Sequence, residues 1–244
     1  MSYVLECRKI KRTGLIPAFL CGGLITALIP ILNMAFRSEI YIFQSAPPLQ
    51  ILLDANWQMM AMLNMLLVIS GACVMYHIEY ADNAIQRISA LPFHESHLYL
   101  GKALVLTILG ALSLFIEIMA LAFCGQHWFF SGIPSYTAFC AEILANYGYL
   151  LLLMLPVVLL SLLIASACRN LWISLGINVI CIFTATMLPA KNLILSLFPF
   201  ALPFQTWSST DIHADIHFMI GAVIEIGIIG IVEWTYLKIR RCFR

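Results

Sequence analysis

Apolar stretches long enough to cross a bilayer recur six times in this 244-residue chain. They run over Leu15–Phe36, Ala55–Tyr76, Ala103–Cys124, Ile143–Ala167, Leu171–Pro189 and His217–Leu237. At about 1.5 Å per residue, each covers about 28–38 Å as a helix, against a hydrocarbon core of about 30 Å. An unpaired N–H or C=O inside hydrocarbon costs several kcal/mol, and a helix satisfies its own backbone. The expected fold class is therefore all-α: a polytopic membrane protein of six transmembrane helices, forming a single domain over residues 1–244. Only 10% of the residues are charged and 62% are hydrophobic, which leaves no tract for a soluble catalytic domain.

The basic residues are unevenly placed. Arg8, Lys9, Lys11, Arg12, Arg87, Lys102, Arg169, Lys238, Arg240, Arg241 and Arg244 flank the runs on one side, whereas Arg37 and Lys191 lie on the other. Basic flanks stay cytoplasmic, so both termini are expected to face the cytoplasm. The first run is too long for the core of a signal peptide, and no small-residue cleavage site follows it. Trp57, Trp128, Phe129, Phe130, Trp207 and Trp234 fall near span ends and are expected to sit at the membrane interface. The net charge of +1 carries no nucleic-acid footprint. The eight cysteines are scattered and read as small apolar packing residues, although Cys124 and Cys140 flank one outer connection and could be bridged.

The connections carry the functional information. In the cytoplasmic connection 77–102, Ala81, Ala84, Ile85, Ile88 and Leu91 recur at helical spacing, and Leu91-Pro92 stops the helix. That helix is either a joint between spans or a docking element for a soluble partner. Residues 1–14 mix four cations with apolar positions, as an amphipathic segment on anionic headgroups would, or as a plain orientation signal would. In the outer connection 190–216, Asn192–Phe204 is apolar but interrupted by Pro199 and Pro203. It suits a re-entrant or interfacial segment, with a folded apolar loop as the alternative.

Glu117 and Glu225 lie well inside their spans, where a carboxylate costs about 2.5–3.5 kcal/mol on insertion scales. They either line a cavity that meets a cation or tie helices together by hydrogen bonds. Their similar depth permits a shared site. His213 and His217 stand four apart near a span end, but no third ligand accompanies them, and no metal site is expected. No catalytic constellation is found: Ser70, Ser113, Ser161 and Ser166 have no sequence-adjacent base. The nearest approach to a phosphate-binding loop, Ser96–Ala103, lacks both the first glycine and the hydroxyl after Lys102.

The stretch from Glu79 through Ile88-Ser89-Ala90-Leu91-Pro92, followed by Gly101-Lys102, resembles the ABC-2 class of transporter permeases. That class has an acidic residue after the second span, an amphipathic helix ending in Leu-Pro, and a Lys opening the third span. The resemblance implies that two copies of a separate cytoplasmic ATPase hold the ATP and Mg, with no cofactor on this chain. The expected docking residues are Glu79, Gln86, Arg87, Leu91, Pro92, Phe93, His94 and Glu95. Arg169 and Asn170, in the turn between the fourth and fifth spans, form a second contact. The small size most resembles the permease subunits of lantibiotic immunity systems. This implies a bacterial plasma membrane, a similar but unlike second permease chain, and a cationic antimicrobial peptide as substrate. The alternatives are an exporter of another drug, bacitracin-like peptide or lipid, and a non-transporting sensor.

Overall fold

A computed structural model of the chain describes residues 13–44, 46–81, 95–129, 133, 135–168, 170–188, 193–207 and 212–242. Its long helices are α1 (Leu15–Ile42), α2 (Pro48–Ala81), α3 (Glu95–Trp128), α4 (Tyr136–Ala167), α5 (Leu171–Met187) and α6 (Ile212–Cys242). Five of them are long and apolar enough to cross a membrane. The exception is α5, whose 17 residues end when Leu188 turns extended at φ −73° and ψ 135°. Expected spans and observed helices therefore agree in number and place, but most helices outrun their apolar stretches. Pro48 opens α2, as the fixed φ and missing N–H of proline allow in a first turn. Trp57 consequently lies more than two turns inside α2. It is 4% exposed and meets the Tyr147 ring edge-on at 5.8 Å. Its ring is packed inside the bundle against α4 rather than turned outward.

Two backbone features shape α1. Gly14 precedes it with φ 71°, a left-handed conformation in which a side chain would be strained. Arg37 breaks it with φ −133° and ψ 23°, immediately after Phe36, where the apolar run was expected to end. The remaining turn, to Ile42, carries the exposed Ile40 and Ile42.

Cross-helix contacts show consecutive helices running antiparallel. Asn33 near the end of α1 donates to Asn56 near the start of α2 at 2.9 Å, and Glu79 near the end of α2 meets Lys102 near the start of α3 at 2.6 Å. Phe19, Leu52, Met60, Leu106, Leu121, Ile143 and Leu150 fill the core that α1, α2, α3 and α4 share. At Gly23, α1 packs directly against the α3 backbone. A Cβ built on Gly23 would stand 2.9 Å from the Ser113 Cα, which is backbone and cannot swing aside. Gly23→Val is accordingly expected to cost about 1–3 kcal/mol by forcing α1 off α3, read as a lower melting temperature in detergent.

The described part of the outer connection is a wedge. It holds a single turn, Leu193–Ser196, and a 3-10 turn, Leu202–Phe204. Phe200 and Leu202 are fully buried. Phe200 joins Met65, Ile69, Val157 and Ile182, so it lies among residues of α2, α4 and α5. The wedge ends on Trp207, whose backbone N–H donates to the Asn146 Oδ1 at 3.1 Å and whose ring meets Tyr149 at 5.5 Å. Cys124 and Cys140 are both free thiols, so the candidate bridge is not made.

Candidate functional site

Two buried polar clusters stand out among the described residues. The first joins the two feet of the connection between α2 and α3. Lys102 is 1% exposed and Glu79 is 6% exposed, and their ion pair is 2.6 Å long. The ammonium also lies 5.3 Å from the centre of the Tyr76 ring, one turn before Glu79. Tyr99, one turn before Lys102, donates to the Leu159 carbonyl of α4 at 2.6 Å. Tyr80 donates to the Ser166 carbonyl, also on α4. Helical spacing produces this arrangement. Tyr76 and Tyr80 straddle Glu79 on one face of α2, and Tyr99 and Lys102 share a face of α3.

The second cluster lies deeper. Glu117 of α3 is fully buried. The Asn64 Nδ2 of α2 donates to its Oε1 at 2.8 Å and to its Oε2 at 3.1 Å, and the Tyr147 hydroxyl of α4 donates to Oε2 at 3.2 Å. The Ser113 hydroxyl donates to the Gly110 carbonyl at 2.8 Å and reaches the Asn64 Oδ1 at 3.5 Å. One carboxyl thus links three helices. Of the two readings of Glu117, the hydrogen-bonded tie is the one this conformation displays. Glu225 does not join it. Glu225 sits on α6, and its Oε2 is buried without a hydrogen-bond partner among the described residues.

Residues 4–185 match the family described as ABC-2 family transporter protein. The chain belongs to that family. No curated protein and no solved structure matches it. The match makes the chain a multi-pass permease subunit of an ATP-binding cassette transporter, a class that works with a separate ATPase. It extends from the N-terminal segment into α5 and contains both Glu79 and Lys102.

Within this ABC-2 permease, the residues expected to dock the ATPase separate into groups. Gln86, Arg87, Leu91, Pro92, Phe93, His94 and Arg169 lie outside the described residues, as do the amphipathic segment 1–12 and most of the loop helix. Glu95 is the first residue of α3. Asn170 is exposed and caps α5, its side chain accepting from the Trp172 N–H at 3.0 Å. Glu79 is buried, and its carboxylate pairs with Lys102 inside the bundle, where a buried ammonium requires a counter-charge. Lys102, the residue nearest to a phosphate-loop lysine in the sequence, is committed to the same pair.

The sequence reading did not single out Asn64, Tyr147 or Tyr76. Asn64 carried a signal, being an amide in the middle of an apolar run. Tyr147 and Tyr76 carried none, because an aromatic ring in a span is ordinary. His213 and His217 are both exposed. Among the described residues no group of three His, Cys, Asp or Glu could hold a metal ion.

Proposed function

We propose that this ABC-2 permease expels a cationic antimicrobial peptide from the bacterial plasma membrane, as in lantibiotic-type self-immunity. Two copies of a cytoplasmic ATPase, which hold the ATP and Mg, drive it through the loop between α2 and α3. A similar but unlike permease chain completes the membrane pore. The observation that carries the cargo class is charge at the ends of α1, α2 and α4 that the basic-residue bias turns outward. Among the described residues at those ends, Glu39, Asp54 and Glu142 are exposed, against one exposed Lys or Arg, Arg37. An anionic rim attracts a cationic peptide and raises its local concentration.

The fold supports the drive. The Glu79–Lys102 pair clamps the last turn of α2 to the first turns of α3, so a push on the loop between them moves two helices as one body. Tyr99 and Tyr80 carry that motion to α4 through its carbonyls. Transport then requires only that the peptide bind the two packings of the bundle unequally.

The test is ATP hydrolysis by the complete permease–ATPase complex in lipid nanodiscs. A cationic amphipathic peptide is expected to stimulate hydrolysis, and an acidic analogue of the same length is not. Neutralising the rim with Glu39→Gln, Asp54→Gln and Glu142→Gln together should raise the peptide concentration for half-stimulation by about tenfold. Equal stimulation by both peptides would contradict the cargo class, and peptide binding without stimulation would make the chain a sensor.

A further inference from the structure

The wedge between α5 and α6 borders a cavity that neither polar cluster uses. Its volume is about 220 Å³, and it lies between the start of α2, the end of α5 and the wedge itself. Ala185 of α5 and Ala201 of the wedge form its apolar side, both buried in the cluster that holds Phe200. Four polar side chains line the rest: Gln58 of α2, Thr186 of α5, and Ser196 and Gln205 of the wedge.

Helical spacing puts Gln58 there. Gln58, Met62, Met65 and Ile69 recur four, three and four positions apart, so Gln58 continues the face of α2 that packs on the wedge. Asp54, one of the rim carboxylates, stands four positions before Gln58 on the same face, so the rim and the cavity adjoin. Gln205 is set by a fixed turn. Its own N–H donates to the Leu202 carbonyl at 3.0 Å, and the preceding Phe204 N–H donates to the Ala201 carbonyl at 3.2 Å.

None of the described residues that line the cavity is ionisable. A phosphate, a carboxylate or an ammonium would find no counter-charge in it. Each glutamine amide instead offers an N–H donor and a carbonyl acceptor side by side. A main-chain peptide unit presents the matching pair. Thr186 already donates its hydroxyl to the Phe183 carbonyl at 2.7 Å, which leaves its oxygen to accept an incoming N–H. The volume falls below the about 300–1,000 Å³ of ordinary small-molecule sites, so the cavity admits a short stretch of chain rather than a drug-sized ligand.

We propose that this cavity is a peptide-backbone site, in which Gln58 and Gln205 hydrogen-bond main-chain amides of the cargo whatever its side chains. This rests on the peptide reading above and deepens it. Rim charge gathers the cation and governs association, with a salt dependence. The neutral amides hold the captured chain and govern its release.

The test uses the permease–ATPase complex in lipid nanodiscs without nucleotide. The probe is a fluorescent cationic amphipathic peptide, its binding and release followed by anisotropy. Gln58→Leu with Gln205→Leu should speed release by about tenfold and leave the salt dependence of association unchanged. An analogue with N-methylated main-chain amides and the same side chains should leave the unmodified complex about tenfold faster than the parent. It should leave the double variant no faster than the parent does, because the bonds it lacks are already gone there. Equal release of analogue and parent from the unmodified complex would overturn the proposal, and that comparison needs no variant to fold. Unchanged release of the parent from a folded double variant, or displacement of the peptide by a neutral oligosaccharide, would overturn it as well. The transport reading fails separately. Release that follows the expected pattern without peptide-stimulated ATP hydrolysis upholds the site and makes the chain a sensor, whereas stimulation with unchanged release strikes the site alone.

Discussion

Replacing Lys102 with methionine is expected to cost the permease about 3–5 kcal/mol of stability, a fall of roughly 6–20 °C in melting temperature for a chain of this size. The reason is what stays behind. Met fills much of the same space and keeps the contact with Tyr76, but Glu79 then lies 6% exposed inside the bundle without its counter-ion. The attraction within the pair is offset by the cost of bringing both charges out of water, so removing both is far milder than removing one. Glu79→Gln combined with Lys102→Met should accordingly recover more than half of the loss. The check is thermal unfolding of the single and double variants in lipid nanodiscs. A single variant as stable as the unmodified protein would show that the pair contributes little.

Asn64→Leu carries the second largest expected effect, about 2 kcal/mol. It removes the donor that reaches both oxygens of Glu117, at 2.8 and 3.1 Å, and leaves the Tyr147 hydroxyl at 3.2 Å. Interhelical hydrogen bonds in membrane proteins average only about 0.6 kcal/mol, with a maximum of about 1.7. Most of the loss therefore comes from a buried carboxyl left short of partners, a penalty of about 1–3 kcal/mol. Glu117→Leu in the same background should restore at least half of the stability. The double variant also separates the two roles considered for Glu117. A carboxyl that only ties α2, α3 and α4 leaves peptide transport intact when it is replaced together with its partner. A carboxyl that meets cargo does not, and loss of transport in a fully stable double variant would return Glu117 to the cargo path.

The bundle was legible in the sequence because hydrocarbon permits so few backbone solutions. Six apolar runs meant six helices, and the break at Arg37 falls one residue after the expected end of the first run. Helix ends were less legible. The continuation of α2 back to Pro48 depends on polar residues such as Gln50 and Asp54 that a membrane-length count excludes. The candidate site was only half visible. Glu79 and Lys102 could be picked out by their places in the motif, but not as partners of each other. Their separation of 23 positions hides a contact that exists only once α2 and α3 fold back antiparallel. Glu117 could be recognised as costly, yet which amide and which phenol satisfy it depends on helix rotation, which apolar runs do not encode.

The central claim is that this chain is the membrane half of a machine whose fuel is consumed on another polypeptide. The most direct measurement is peptide clearance from proteoliposomes containing the permease and its ATPase. A fluorescent cationic amphipathic peptide is followed with and without ATP, beside proteoliposomes holding the permease alone. The account predicts ATP-dependent clearance only where the ATPase is present, with no nucleotide hydrolysis by the permease by itself. Hydrolysis by the isolated permease, or clearance that needs neither ATP nor the ATPase, would contradict it.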